Sequence, residues 1–192
     1  DELSPLPPQP GSTTLARAGK QPGVGLALLV VLLATLPLVG LMYLGHRLLN
    51  LAFVPFDLYD WPIRVGLSPW ISLIDTLTGS QSAVGGNIAQ RAMVVQWLLS
   101  VGLFLLIALL IGLAFYVFVR RRSRLPDLID GLAVGIIFAA PMLFVSLTTS
   151  ASPLPPLLNA IWLGALFIVW GIVLAYALGH LMEPSDVSAA EG

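Results

Sequence analysis

AMVVQWLLSVGLFLLIALLIGLAFYVFV, residues 92–119, runs directly into RRRSR, residues 120–124. The first stretch holds 28 residues and no charge. A helix needs about 20 apolar residues to cross the hydrocarbon of a bilayer. At 1.5 Å per residue this one would reach about 42 Å, so it tilts or projects beyond the lipid core. Its apolar residues are continuous rather than alternating, which argues for a helix over a barrel strand. Three further uncharged runs pass the same test: 24–45 with 22 residues, 131–150 with 20 and 157–179 with 23. The expected fold is therefore an all-α polytopic membrane protein with four transmembrane helices, over about 24–48, 91–119, 127–150 and 155–181. Together they form one transmembrane domain, residues 24–182, with a long loop at 49–90.

Composition supports this reading. Of 192 residues, 57% are hydrophobic and 10% charged, whereas soluble domains carry about 25% charged residues. Nine basic and ten acidic side chains cannot cover a water-facing surface, which disfavours a soluble enzyme. A net charge of −1 gives no long-range attraction for a polyanion, so nucleic acid is not an expected partner. The chain has no cysteine, which excludes disulfides, thiolate metal sites and cysteine nucleophiles.

Orientation follows from lysine and arginine. Arg17 and Lys20 precede the first span, and Arg120, Arg121, Arg122 and Arg124 fill the short link between the second and third. These six of the nine basic residues fall on one side, which predicts that both termini lie in the cytoplasm. Residues 1–23 carry prolines at 5, 7, 8, 10 and 22 and are expected to form a flexible segment, extended or mobile; residues 183–192 form a polar tail. No A-x-A cleavage site follows the first apolar run, so it is expected to be a retained span rather than a leader peptide.

The outer loop is aromatic: Phe53, Phe56, Tyr59, Trp61 and Trp70 are the candidate contacts to the membrane interface or to partner proteins. Ser68 and Pro69 read as a helix start, and Trp70, Ile71, Ile74 and Leu77 recur at helical spacing, predicting a short amphipathic helix over 69–78. Residues 80–87, rich in glycine and serine, read as a turn. Asp57, Asp60, Arg64 and Asp75 are expected to wet this loop or pair within it, while a proton or cation site is the functional alternative. Asp60 and Arg64 have pairing distance on a helix, but Pro62 argues against a regular one.

Two histidines raise the question of haem. His46 lies near the outer end of the first span and His180 near the inner end of the fourth, about a bilayer apart. They cannot share one haem within a chain, so haem is disfavoured unless a neighbouring subunit supplies a ligand. No cofactor is expected in this chain, although lipid, quinone or pigment contact with its grooves is compatible with an apolar site. Thr35, Gln96, Ser100, Ser146 and Asn159 are the main polar side chains within the spans and are expected to bridge helices rather than line a path. Gly131 and Gly135 suit a close helix contact, Pro141 predicts a bend, and Asp127 and Asp130 suit a helix N-terminus. No nucleotide-binding, hydrolase or metalloprotease motif is present.

FVPFDLYDW, residues 53–61, followed by SLIDTL, residues 72–77, resembles the region after the first transmembrane helix of bacterial membrane-anchored molybdopterin-dependent oxidoreductases. In that group a multi-helix N-terminal anchor precedes a sulfite-oxidase-like catalytic domain. GIIFAAPMLFVSL (135–147) and LLNAIWLGALFIVWGIVLAYAL (157–178) are similar to its last anchor helices. The resemblance covers about residues 26–181 and implies the anchor alone. The catalytic domain holds molybdenum partly through a cysteine thiolate, which this chain lacks, so no catalytic residue carries over. The chain would then be a fragment, or a homologue without its enzyme, and residues 183–192 a linker. The expected function is a non-catalytic anchor or accessory subunit of a larger photosynthetic or respiratory redox complex, in contact with lipids and other membrane subunits. The alternatives are a small transporter, channel or quinone-handling protein, or a haem-sharing electron-transfer subunit.

Overall fold

The computed structural model describes residues 23–78, 88–122, 125–149 and 152–182. These fall within one compact unit, Pro22–Glu183. The proline-rich segment, with Arg17 and Lys20, the turn at 80–87, Arg124 and the tail at 183–192 lie outside the described residues. The four apolar runs form helices α1 (Val24–Leu49), α4 (Ile88–Arg122), α5 (Leu128–Thr149) and α6 (Pro156–Met182). Each is long and apolar enough to cross a membrane. The loop between the first two carries α2 (Val54–Arg64) and α3 (Ser68–Thr78), and no strand occurs among the described residues. The chain is an all-α polytopic membrane protein. Leu157 at 71% exposure and Ile137 at 65% show an apolar outward face, suited to contact with lipid.

The tightest pairing is α5 against α6, joined by a short turn that makes them antiparallel neighbours. Small residues allow the approach. A Cβ on Gly171 would collide with the carbonyl oxygen of Gly131 and lie 2.8 Å from Cα of Gly135. A Cβ on Gly135 would lie 2.7 Å from the carbonyl oxygen of Phe167. The Gly131–Gly135 pair on α5 thus meets a second small pair, Gly171–Ala175, on α6. Reciprocal capping starts α5: the Asp130 N–H donates to Asp127 Oδ1 at 2.9 Å, and the Asp127 N–H donates to Asp130 Oδ2 at 3.3 Å. Pro141 sits on the exposed side of an unbroken α5.

In the interior an aromatic layer joins all four spans. Phe138 of α5 lies 5.6 Å from Phe104 of α4, and 4.8 Å and 5.0 Å from Phe167 and Trp170 of α6. The Trp170 indole N–H donates to the Thr35 hydroxyl at 3.1 Å, which in turn donates to the Val31 carbonyl at 2.7 Å. Polar atoms in this layer are therefore consumed by contact between α1 and α6.

The loop departs from the sequence-based expectation at Pro62. Residues Val54–Arg64 form a continuous helix that includes it. The reason is tertiary. α2 inserts between the ends of α4 and α5, which touch each other only lightly. It buries Val54, Leu58, Tyr59 and Pro62 there, and that burial outweighs the one backbone bond Pro62 cannot donate. The amphipathic helix over 69–78 is present as α3, starting one residue earlier at Ser68 and packing on α2 and α4.

Replacing Gly171 with leucine should break the α5–α6 seam, because the new side chain meets backbone that cannot yield. A loss of at least about 3 kcal/mol is expected. Gly164→Ala on the same helix, where an added Cβ meets nothing within 4 Å, should be neutral or stabilising by up to about 1 kcal/mol. Thermal unfolding of both variants in one detergent, followed by circular dichroism, checks the contrast.

Candidate functional site

Just past the last turn of α1, at Asn50, the chain reverses direction. Asn50 adopts φ 53°, a left-handed conformation that asparagine tolerates better than most residues. The N–H groups of Asn50 and Leu51 bond back to the carbonyls of His46 and Gly45, closing α1 in a Schellman-type cap. Residues 51–53 are then held from two sides. The Ala52 N–H donates to Asn159 Oδ1 at 3.0 Å, and Ser152 Oγ donates to the Asn50 carbonyl at 2.8 Å. The start of α6 and the turn before it therefore anchor the start of α2.

That anchoring brings a polar cavity of about 290 Å³ to the α2 end of the bundle. Its lining includes His46, Phe56, Asp57, Asp60, Arg64 and Thr149. Asp57 is 7% exposed, and its Oδ2 accepts a 2.6 Å hydrogen bond from the Ser146 hydroxyl of α5. Burial pushes its carboxyl up to about 7; the Ser146 bond opposes this, the Asp60 charge adds to it, and Arg64 opposes it. Asp60, half-buried one turn on, is also raised by burial, against the pull of Arg64. Burial and the Asp60 charge raise the Tyr59 phenol as well. His46 is fixed in orientation, because its Nδ1 donates to the Leu51 carbonyl at 2.9 Å and its ring packs on Phe53 and Phe56. The buried Thr149 hydroxyl has no hydrogen-bond partner. A second, smaller hollow of about 50 Å³ lies alongside, between Ser146, Ser152 and Asn159. Among the described residues no three ligating side chains converge as a metal site would need.

The aromatic residues expected at the membrane interface are mostly turned inward. Phe53 is 2% exposed and packs with Tyr43, Phe56 and Trp97. Phe56 is half-buried, 4.9 Å from Trp97. Tyr59 is buried 6.0 Å from Trp70, whose indole N–H donates to the Tyr59 carbonyl at 3.2 Å. Trp61 is half-buried against the core. These five residues cement α2 and α3 to the bundle. Arg120, Arg121 and Arg122 are exposed at the C-terminal end of α4, with the Arg122 guanidinium 4.2 Å over the Phe118 ring. His180 stacks edge-on against Tyr176. It lies 21 residues along α6 from Asn159, about 31 Å by helical rise, so His46 and His180 occupy opposite ends of the bundle.

Sequence reasoning did not single out His46, Ser146 and Thr149 as neighbours of Asp57. They come from two different spans, and the Asp57–Ser146 pair is separated by 89 residues. The available signal was two hydroxyls, Ser146 and Thr149, near the end of one apolar run, with an acidic loop elsewhere in the sequence.

Because the folded chain raises the Asp57 carboxyl, it favours the protonated form. The resulting stabilisation is complete below about pH 4 and is lost as pH rises toward about 7. At about 1.4 kcal/mol per pKa unit the whole effect amounts to at most about 4 kcal/mol. The unfolding midpoint in detergent should therefore fall between pH 5 and pH 8, and Asp57→Asn should remove most of that slope. A wild-type midpoint that rises over this interval would contradict the assignment.

The chain matches no family model, no curated protein and no solved structure.

Proposed function

We propose that the chain is a non-catalytic membrane anchor, or scaffold subunit, of a larger redox assembly in the bacterial cytoplasmic membrane. In this reading both termini lie in the cytoplasm and the α2 end faces outward. The observation that carries the scaffold role is the closed interior. Thr35, Ser146 and Asn159 each spend their polar atoms on bonds between elements, and the Phe104–Phe138–Phe167–Trp170 layer crosses the bundle. A transporter ordinarily places ionisable groups along an internal route. Here the charges of the four spans sit near their ends.

The redox partner is proposed from the resemblance of residues 53–61, 72–77, 135–147 and 157–178 to molybdopterin-enzyme anchors. With no cysteine, this chain lacks the thiolate through which that group holds molybdenum. The catalytic chemistry would belong to the partner. Orientation rests on Arg120–Arg122 at the end of the bundle opposite α2.

Two experiments test this. A tagged chain, purified gently from native membranes, should bring down a larger subunit together with stoichiometric molybdenum by elemental analysis; a lone chain without the metal overturns the reading. Because the chain has no native cysteine, Leu67→Cys and Arg122→Cys provide clean topology probes. An impermeant maleimide added to intact cells should label Leu67→Cys, and label Arg122→Cys only after permeabilisation. The reverse pattern would invert the proposed orientation.

A further inference from the structure

The charged residues of α2 are ordered by depth. Asp57, Asp60 and Arg64 stand three and then four residues apart, so they share one helix face. Asp57 is buried, Asp60 half-buried and Arg64 exposed, and all three line the cavity. Its inner part is thus acidic and its rim basic. From this gradient we propose that the cavity binds the zwitterionic head of an aminophospholipid, its primary ammonium inward at Asp57 and Asp60 and its phosphate outward at Arg64.

Four observations carry the proposal beyond the charges themselves. A volume of about 290 Å³ lies at the lower edge of ligand-site sizes, about 300 Å³, which suits a head group and leaves the acyl chains outside. The site lies at the last turns of α1 and α5 and beside the turn before α6, where a bilayer presents its head groups. Thr149 contributes a buried hydroxyl with no partner, an acceptor ready for one ammonium proton. Phe53 and Phe56, edge to face at 4.9 Å, are among the residues bordering the cavity, an aromatic neighbourhood that tolerates a cation. A free anion fits poorly, since two carboxyls face it for one guanidinium. A divalent cation lacks a converging ligand set among the described residues. A choline head has no N–H to donate to Asp57, Asp60 or Thr149, so the site should discriminate against it. The proposal does not depend on the chain being an anchor.

Native mass spectrometry of the whole chain in mild detergent tests it. The probes are phosphatidylethanolamine, phosphatidylcholine and phosphatidylglycerol with identical acyl chains. Loss of charge-assisted hydrogen bonds predicts at least about tenfold tighter retention of phosphatidylethanolamine than of phosphatidylcholine. Asp60→Asn and Arg64→Gln should each bring retention down toward the phosphatidylcholine level, while Val173→Ala, on an exposed face of α6, should leave it unchanged. Asp60 and Arg64 are not fully buried, so both variants should fold, as helicity by circular dichroism will show. The wild-type head-group series decides the matter without them. Soluble phosphoethanolamine separates the sources. Displacement by it shows that the free zwitterion suffices, whereas discrimination without displacement assigns the lipid. Equal retention of the ethanolamine and choline lipids, preference for phosphatidylglycerol, or indifference to both substitutions would overturn the proposal.

Discussion

A polar atom inside a bilayer has no water to turn to, so it must find its partner within the chain. The bundle is organised by that constraint. Three long-range hydrogen bonds, Trp170 to Thr35, Ser146 to Asp57 and Ala52 to Asn159, join α6 to α1, α5 to α2 and the loop before α2 to α6. Each ties together elements that apolar contact alone would leave free to slide, since lipid is as apolar as the helix faces and rewards no particular register. The glycine seam of α5 and α6 acts in the same way through shape. A fit in which Gly171 lies against the backbone of Gly131 and Gly135 admits one vertical alignment.

The two ends of the bundle consequently differ. At the end of α4 three arginines, Arg120, Arg121 and Arg122, stand exposed. At the other end, α2 fills the gap between α4 and α5 and carries a carboxyl group into it. The reversal at Asn50 makes this possible. Its left-handed turn sends the chain back toward the bundle instead of out into solvent, and Ser152 and Asn159 hold it there. A carboxylate in so dry a place is costly when ionised, and the structure offers it one hydroxyl donor and a distant guanidinium rather than a close ion pair. The result is a carboxyl that changes charge near neutrality, which a fully solvated loop aspartate would not do.

How much of this could be read in the sequence depends on the range of the interaction. The four spans were legible because each is a continuous apolar run, and the helix over 69–78 because its apolar residues recur at helical spacing. The Gly131–Gly135 pair was legible, but its partner required seeing Gly171 and Ala175 as the opposing surface. α2 was obscured by Pro62, since a local rule spoke against a helix that tertiary burial sustains. The aromatic residues Phe53 and Tyr59 suit an interface and a core equally well, and composition alone does not choose between them. The cavity was invisible for the same reason: His46, Asp57 and Thr149 meet only after α1, α2 and α5 have packed.

The burial of α2 also bears on why an aspartate occupies position 57. An apolar residue there would fill the gap between α4 and α5 without the desolvation cost, so stability does not account for the carboxyl. Register is one return, because the bond to Ser146 fixes the depth of α2 against α5. Register alone would be served by asparagine, which can accept the same hydroxyl bond and carries no charge to desolvate. What asparagine lacks is the capacity to ionise beside a cavity that also holds Asp60, Arg64 and an unpartnered hydroxyl. The carboxyl is therefore better explained by something that enters the cavity than by the fold that surrounds it.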